Sequence, residues 1–139
     1  MSRFRYFCGV DVSKGSFSVA VKNGKFVVKD RILSMNEDGF SGLESIIKEF
    51  KEELLIGMES TGIYHNNLFN FLMNKGYNSR VVNPYMVYQF FRFTSNKPTK
   101  TDRKDAKTIA SFLEFNKDML AKENPFREEE KYQIRYLVR

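Results

Sequence analysis

Arg5–Leu33 reads RYFCGVDVSKGSFSVAVKNGKFVVKDRIL. Three runs rich in β-branched and aromatic residues stand in this stretch, broken by Ser13-Lys14-Gly15 and by Asn23-Gly24. Asn-Gly between two alternating runs is a strong short-range hairpin signal. The chain is therefore expected to open with three antiparallel strands in sequential order. Within the first strand, period two puts Cys8, Val10 and Val12 on one side and Gly9 and Asp11 on the other. A carboxylate inside such a run costs desolvation unless something compensates it. Asp11 is then either a residue that caps the following bend or a functional acid.

Beyond the meander the pattern alternates. Asn36 or Asp38 can start a helix through GFSGLESIIKEF, with Phe40, Leu43, Ile46, Ile47 and Phe50 at helical spacing. ELLIGM is a short continuous apolar run, as expected of a strand covered on both faces. IYHNNLFNFLMNKG reads as a helix with Leu68, Phe69, Leu72 and Met73 inward and Gly76 as its stop. NSRVVNP is a further short strand, followed after Pro84 by an aromatic helix, the polar loop TSNKPTKT and the helix of DRKDAKTIASFLEF. A last helical pattern opens at Pro125 and reaches Arg139 without a stop signal. The order βββ-α-β-α-β-α is that of an α/β, ribonuclease-H-like mixed sheet of about five strands flanked by helices. The reading divides the chain into a domain over 1–122 and, over 123–139, the start of a connecting helix.

Composition is compatible with this. The chain has 139 residues, 42% apolar and 15% aromatic, enough for one real core. Its 23 Lys+Arg against 17 Asp+Glu give a net charge of +6 and a pI near 9.4, which favours a polyanionic partner. Between Arg92 and Lys107 six basic residues face two acids. The single Cys8 excludes a disulfide framework and reads as small core filler in a reducing compartment. The first ten residues are too short and too charged for a signal peptide, and no run of about 18 apolar residues occurs. The expected location is the cytoplasm.

Four acids stand where this order of elements brings strand ends and helix starts together. Glu59 ends the buried strand, and open α/β sheets bind ligands outside the carboxyl ends of their strands. By itself Glu59 also reads as a residue near the start of the next helix, which Ser60 or Thr61 can cap. Asp102 and Asp105 are three apart, about 5–6 Å on one face if both are helical. Alone they read as ordinary helix-start chemistry, with Thr101 or Asp102 as the cap. Together with Asp11 they offer what two Mg²⁺ ions about 3.5–4 Å apart require, several hard carboxylate donors converging in one cleft. Lys97, Lys100, Arg103, Lys104 and Lys107 are then candidates for phosphate contacts at its rim. No G-x-x-x-x-G-K-[ST] loop occurs, and Ser60 lacks the preceding glycine of a nucleophile elbow, since Met58 stands there.

Two further features have paired readings. PYMVYQFFRF is apolar nearly all round as a helix, so packing on more than one side, as core or domain interface, is expected; base stacking is the other reading. His65, on the polar side of its helix, is expected at the solvated surface.

GVDVSKGSFSVAV, ESTGIYHNNLFNFLMNKGYNSRVVNP and KTDRKDAKTIA together resemble the N-terminal domain of DEDD transposases, the insertion sequence 110 family related to Piv-type DNA invertases. The likeness runs from about Gly9 to Phe112. No single block is specific, but the ordered triple is. The resemblance implies a RuvC-like domain whose D, E, D and D metal ligands carry over to Asp11, Glu59, Asp102 and Asp105, with two Mg²⁺ or Mn²⁺ ions. It implies DNA as the partner, a structured bridging RNA as guide in some members, and assembly as homo-oligomers. It also implies a second domain, carrying a serine nucleophile, that nothing in this sequence matches. Two other readings stay open at this point. One is a non-catalytic DNA- or RNA-binding module, whose binding would survive loss of the acids. The other is half of an actin-like kinase, which uses a similar GVDVSK strand to meet ATP.

Overall fold

The computed structural model describes residues 2–60, 62–94 and 105–123. Strands β1 (Tyr6–Val12), β2 (Ser16–Asn23) and β3 (Phe26–Ser34) form the expected meander. The hairpin between β2 and β3 turns one residue later than Asn23-Gly24 suggests. Asn23 pairs with Phe26, so Gly24 and Lys25 make the turn, and Gly24 takes φ +61° at its first position. Only glycine occupies that backbone region without cost.

Helix α1 (Glu37–Ile47) starts where the sequence asks, the Asn36 side chain accepting from the Gly39 N–H at 2.9 Å. A 3-10 turn over Lys48–Glu53 leads into β4 (Leu54–Glu59). Next come α2 (Asn66–Asn74) and β5 (Asn78–Val82), then α3 (Pro84–Thr94), α4 (Ala106–Phe115) and α5 (Lys117–Lys122). Gly76, at φ +82°, ends α2. Its N–H donates to the Met73 carbonyl and that of Tyr77 to Leu72, the paired bonds of a Schellman stop. Ser60 does not cap α2, and Thr61 lies outside the described residues. The helix begins at Asn66, and His65 occupies the cap position without a side-chain bond, because Gly62 at φ +64° turns the chain before the helix can form.

The sheet runs β3-β2-β1-β4-β5, with β1–β2 and β2–β3 antiparallel and β1–β4 and β4–β5 parallel. Two hydrophobic layers cover it. On one face Cys8, Val10, Ile56 and Met58 meet Leu43 and Ile47 of α1 and Leu68 and Leu72 of α2. On the other, Phe7 and Leu55 meet Val87 of α3 and Ile109, Ala110 and Leu113 of α4. Each fully buried Leu or Ile contributes about 1.5–3 kcal/mol. Cys8 is core filler, as expected, its thiol pushed up to about 12 by burial.

The aromatic helix α3 departs from expectation: of its residues only Val87 is fully buried. It follows β5, the edge strand, so α4 is its neighbour on one side and its outward face meets solvent.

Candidate functional site

Helix α4 lies almost directly on the sheet because two glycines and two alanines make the space. A Cβ on Gly9 would run into the Ala106 carbonyl and the Ala110 amide, and one on Gly57 would run into Leu113. Ile109, Ala110 and Leu113 share the buried face of α4 with Ala106, at helical spacing. Two polar ties fix its direction. Lys107 meets Asp30 at 3.5 Å, and Asp30 shares a cross-strand row with Ala20 and Gly9. Lys22 donates to Ser111 Oγ at 2.6 Å from the row of Phe7. Moving from Lys107 to Ser111 thus moves backwards along β1. The helix runs antiparallel to that strand, with its N-terminus toward Asp11.

Asp11 follows Gly9 by two residues and faces the same side, that of α4. In the parallel β1–β4 pair, Gly9 is beside Gly57 and Val10 beside Met58, so the next step of the register sets Asp11 beside Glu59. Neighbouring strands are about 4.8 Å apart. Both carboxylates therefore stand side by side on one face at the carboxyl ends of adjacent parallel strands. Asp11 is exposed and Glu59 half-buried. The amide of Ser60 donates to the Val82 carbonyl at 3.1 Å and closes the β4–β5 end beside them.

Asp105 stands at the N-terminus that approaches this row. It is the cap of α4, which begins at Ala106; Thr101 and Asp102 lie outside the described residues. Asp105 itself has extended backbone, outside the helix, and its expected spacing to Asp102 falls on a residue outside the described ones. Asp105 Oδ1 accepts from the Thr108 N–H at 2.9 Å and from the Thr108 hydroxyl at 3.1 Å; both bonds fall on that one oxygen, and Oδ2 is used by neither. The partial positive charge of the α4 N-terminus also favours anionic groups close by. Asp102 lies outside the described residues, as do Lys97, Lys100, Arg103, Lys104 and the segment 124–139. Among the described residues, no three His, Cys, Asp or Glu side chains are grouped closely enough to hold a metal ion. Lys107, the one described member of the basic set, is spent on the exposed pair with Asp30.

Sequence reasoning missed two buried polar residues. His65 is only 8% exposed, not solvated, and its Nδ1 has no hydrogen-bond partner among the described residues. Desolvation lowers its pKa. Because the folded value lies below the unfolded one, the neutral ring's contribution is present above about pH 6.5 and is lost as pH falls through the folded pKa. The urea midpoint is expected to drop between pH 7.5 and pH 5, and His65→Phe is expected to flatten that part of the profile. An unchanged slope in the variant would remove His65 from the acid response. Arg80, buried on the α4 face of β5, donates from Nη2 to the Leu120 carbonyl at 3.0 Å and to the Glu123 carbonyl at 3.2 Å. It ties the C-terminal end of α5 to the sheet. Its signal in the sequence was the single charged residue of the short strand NSRVV.

A five-strand mixed sheet of this order flanked by helices is a RuvC-like fold. Among solved structures the chain is similar to that of Thermus thermophilus RuvC, with a TM-score of 0.59 and 12% identity over 82% of this chain and 96% of that one. No curated protein sequence matches the chain. The model of the DEDD transposases of insertion sequence 110, described as "Transposase", matches residues 8–139. The chain belongs to that family. No helix among the described residues is long and apolar enough to cross a membrane.

Proposed function

We propose that this chain is the metal-binding catalytic domain of a DNA transposase, in which Asp11, Glu59, Asp102 and Asp105 hold two divalent cations. One observation carries the reading: the last registered pair of β1 and β4 is Val10–Met58, and Asp11 and Glu59 are the next residues on these adjacent parallel strands, on the face covered by α4, whose cap is Asp105. The donor chemistry fits Mg²⁺ or Mn²⁺. The set is all carboxylate, and the one thiol, Cys8, belongs to the opposite layer. When bound, such ions polarise a phosphoryl oxygen and offset charge on the entering and leaving oxygens of DNA cleavage. The chain's own share is to fix the carboxylates, the strands holding two of them at one spacing and the helix cap holding a third. The substrate is DNA. A guide RNA, oligomeric assembly and a serine nucleophile supplied outside this domain belong to the same proposal, as does the division at residue 122.

Metal binding is testable without activity. A cation that binds only the folded state at about one hundred times its Kd adds roughly 2.7 kcal/mol. Mn²⁺ is therefore expected to raise the wild-type Tm by several degrees and that of Asp11→Asn by none. Equal shifts in both proteins would remove Asp11 from the site, and no calorimetric Mn²⁺ binding to wild type would end the metal reading.

A further inference from the structure

We propose that the outward face of α3 is a stacking platform for unpaired nucleobases. The proposal rests on the reading of the chain as a nucleic-acid enzyme and adds where bases are held. Tyr85, Tyr88 and Arg92 recur at i, i+3 and i+7, one face of the helix. That face is opposite the side on which Val87 is buried and Phe90 packs on Phe112 at 5.8 Å. Tyr85 is 67% exposed and Phe93, at the flank, 89%. The Arg92 guanidinium already lies over the Tyr88 ring, 5.8 Å from its centroid, so the face stacks a planar cation on an aromatic.

Charge decides between occupants. From Asn83 to Lys100 the sequence holds three basic residues and no acid, which suits a polyanion. Position agrees: α3 begins directly after Val82, which pairs with Glu59, so the platform starts at the same end of the sheet as the acid row. A duplex hides the faces of its bases, whereas a displaced or looped strand offers them to tyrosine. An aromatic–arginine face of this kind also suits protein interfaces, and a second copy of this chain is the rival occupant.

The test is fluorescence anisotropy with a labelled twelve-nucleotide oligothymidylate, in EDTA, using the whole chain. Stacking contributes about 5- to 150-fold per base, so Tyr85→Ala with Tyr88→Ala is expected to weaken binding by at least about tenfold. Tyr85→Phe with Tyr88→Phe is expected to retain it. Arg92→Gln is expected to reduce the slope of log affinity against log salt by about 0.7. Because the assay contains EDTA, its outcome does not depend on the metal site, which separates this proposal from the metal reading. Circular dichroism of each variant checks that the exposed substitutions leave the fold intact. Wild-type affinity in the double alanine variant, or no oligonucleotide binding by the wild type, would overturn the platform. So would a self-associated wild type that the alanines dissociate while oligonucleotide binding persists.

Discussion

Gly9→Val is expected to lower stability by about 3 kcal/mol or more, a large part of what a domain of this size possesses. The cost comes from what the new side chain would meet. At Gly9 the colliding atoms are the Ala106 carbonyl and the Ala110 amide, both backbone, so no rotamer change relieves the overlap. Helix α4 must lift from the sheet, and with it Ile109, Ala110 and Leu113 leave their layer. The other glycines supply an internal scale. A Cβ at Gly57 meets only the side chain of Leu113, which can shift, so Gly57→Ala is expected to cost about 1 kcal/mol. At Gly15 a Cβ meets nothing within 4 Å, and Gly15→Ala is expected to be neutral within about 0.5 kcal/mol. Urea unfolding followed by circular dichroism measures all three. A Gly9→Val midpoint equal to that of wild type would show that α4 does not rest on β1 as described. The same variant is expected to lose the Mn²⁺ response wherever it still folds, because lifting α4 carries Asp105 away from Asp11.

This dependence of the site on a packing detail explains what was legible in the sequence and what was not. The meander, the buried strand and the order of elements follow from local patterns: β-branched and aromatic runs broken by Ser13-Lys14-Gly15 and Asn23-Gly24, continuous burial in β4, and an asparagine cap before α1. The shared face of Gly9 and Asp11 also follows from period two alone. The neighbourhood of Asp11 and Glu59 does not, since it depends on a parallel pairing between strands 48 positions apart, whose register only the fold sets. Local pattern misplaced the ends of elements where a competing turn wins. Gly62 precedes a delayed start of α2, and Asp105 caps α4, with Thr108 three residues on donating both bonds. Periodicity misread α3 for another reason: an apolar helix looks buried in a sequence, but one lying beyond an edge strand has only one side to pack. His65 was misjudged in the opposite sense, as a polar residue whose ring the fold covers.

Asp105→Asn is expected to separate the cap role of this residue from its proposed role as a cation ligand. As a cap, asparagine ranks with aspartate, and its Oδ1 can accept the same bonds from the Thr108 amide and hydroxyl. Stability should stay within about 0.5 kcal/mol of wild type, whereas Asp105→Ala, which loses those bonds, should fall by about 1 kcal/mol. As a cation ligand the amide is a poor substitute, because it lacks the charge that offsets the cost of dehydrating Mg²⁺. The transposase carrying Asp105→Asn is therefore expected to lose DNA strand cleavage by about 100-fold or more, equivalent to roughly 3 kcal/mol in the barrier. Mn²⁺, which is less exacting, should restore more of it than Mg²⁺ does. Cleavage is read on a labelled duplex, and stability by urea unfolding of the same preparation. If Asp105 only starts the helix, activity will track stability: Asp105→Asn will cleave as wild type and Asp105→Ala will lose a little. An Asp105→Asn enzyme that folds normally, cleaves at the wild-type rate and keeps its metal preference would reduce the site to the strand acids and whatever Asp102 adds.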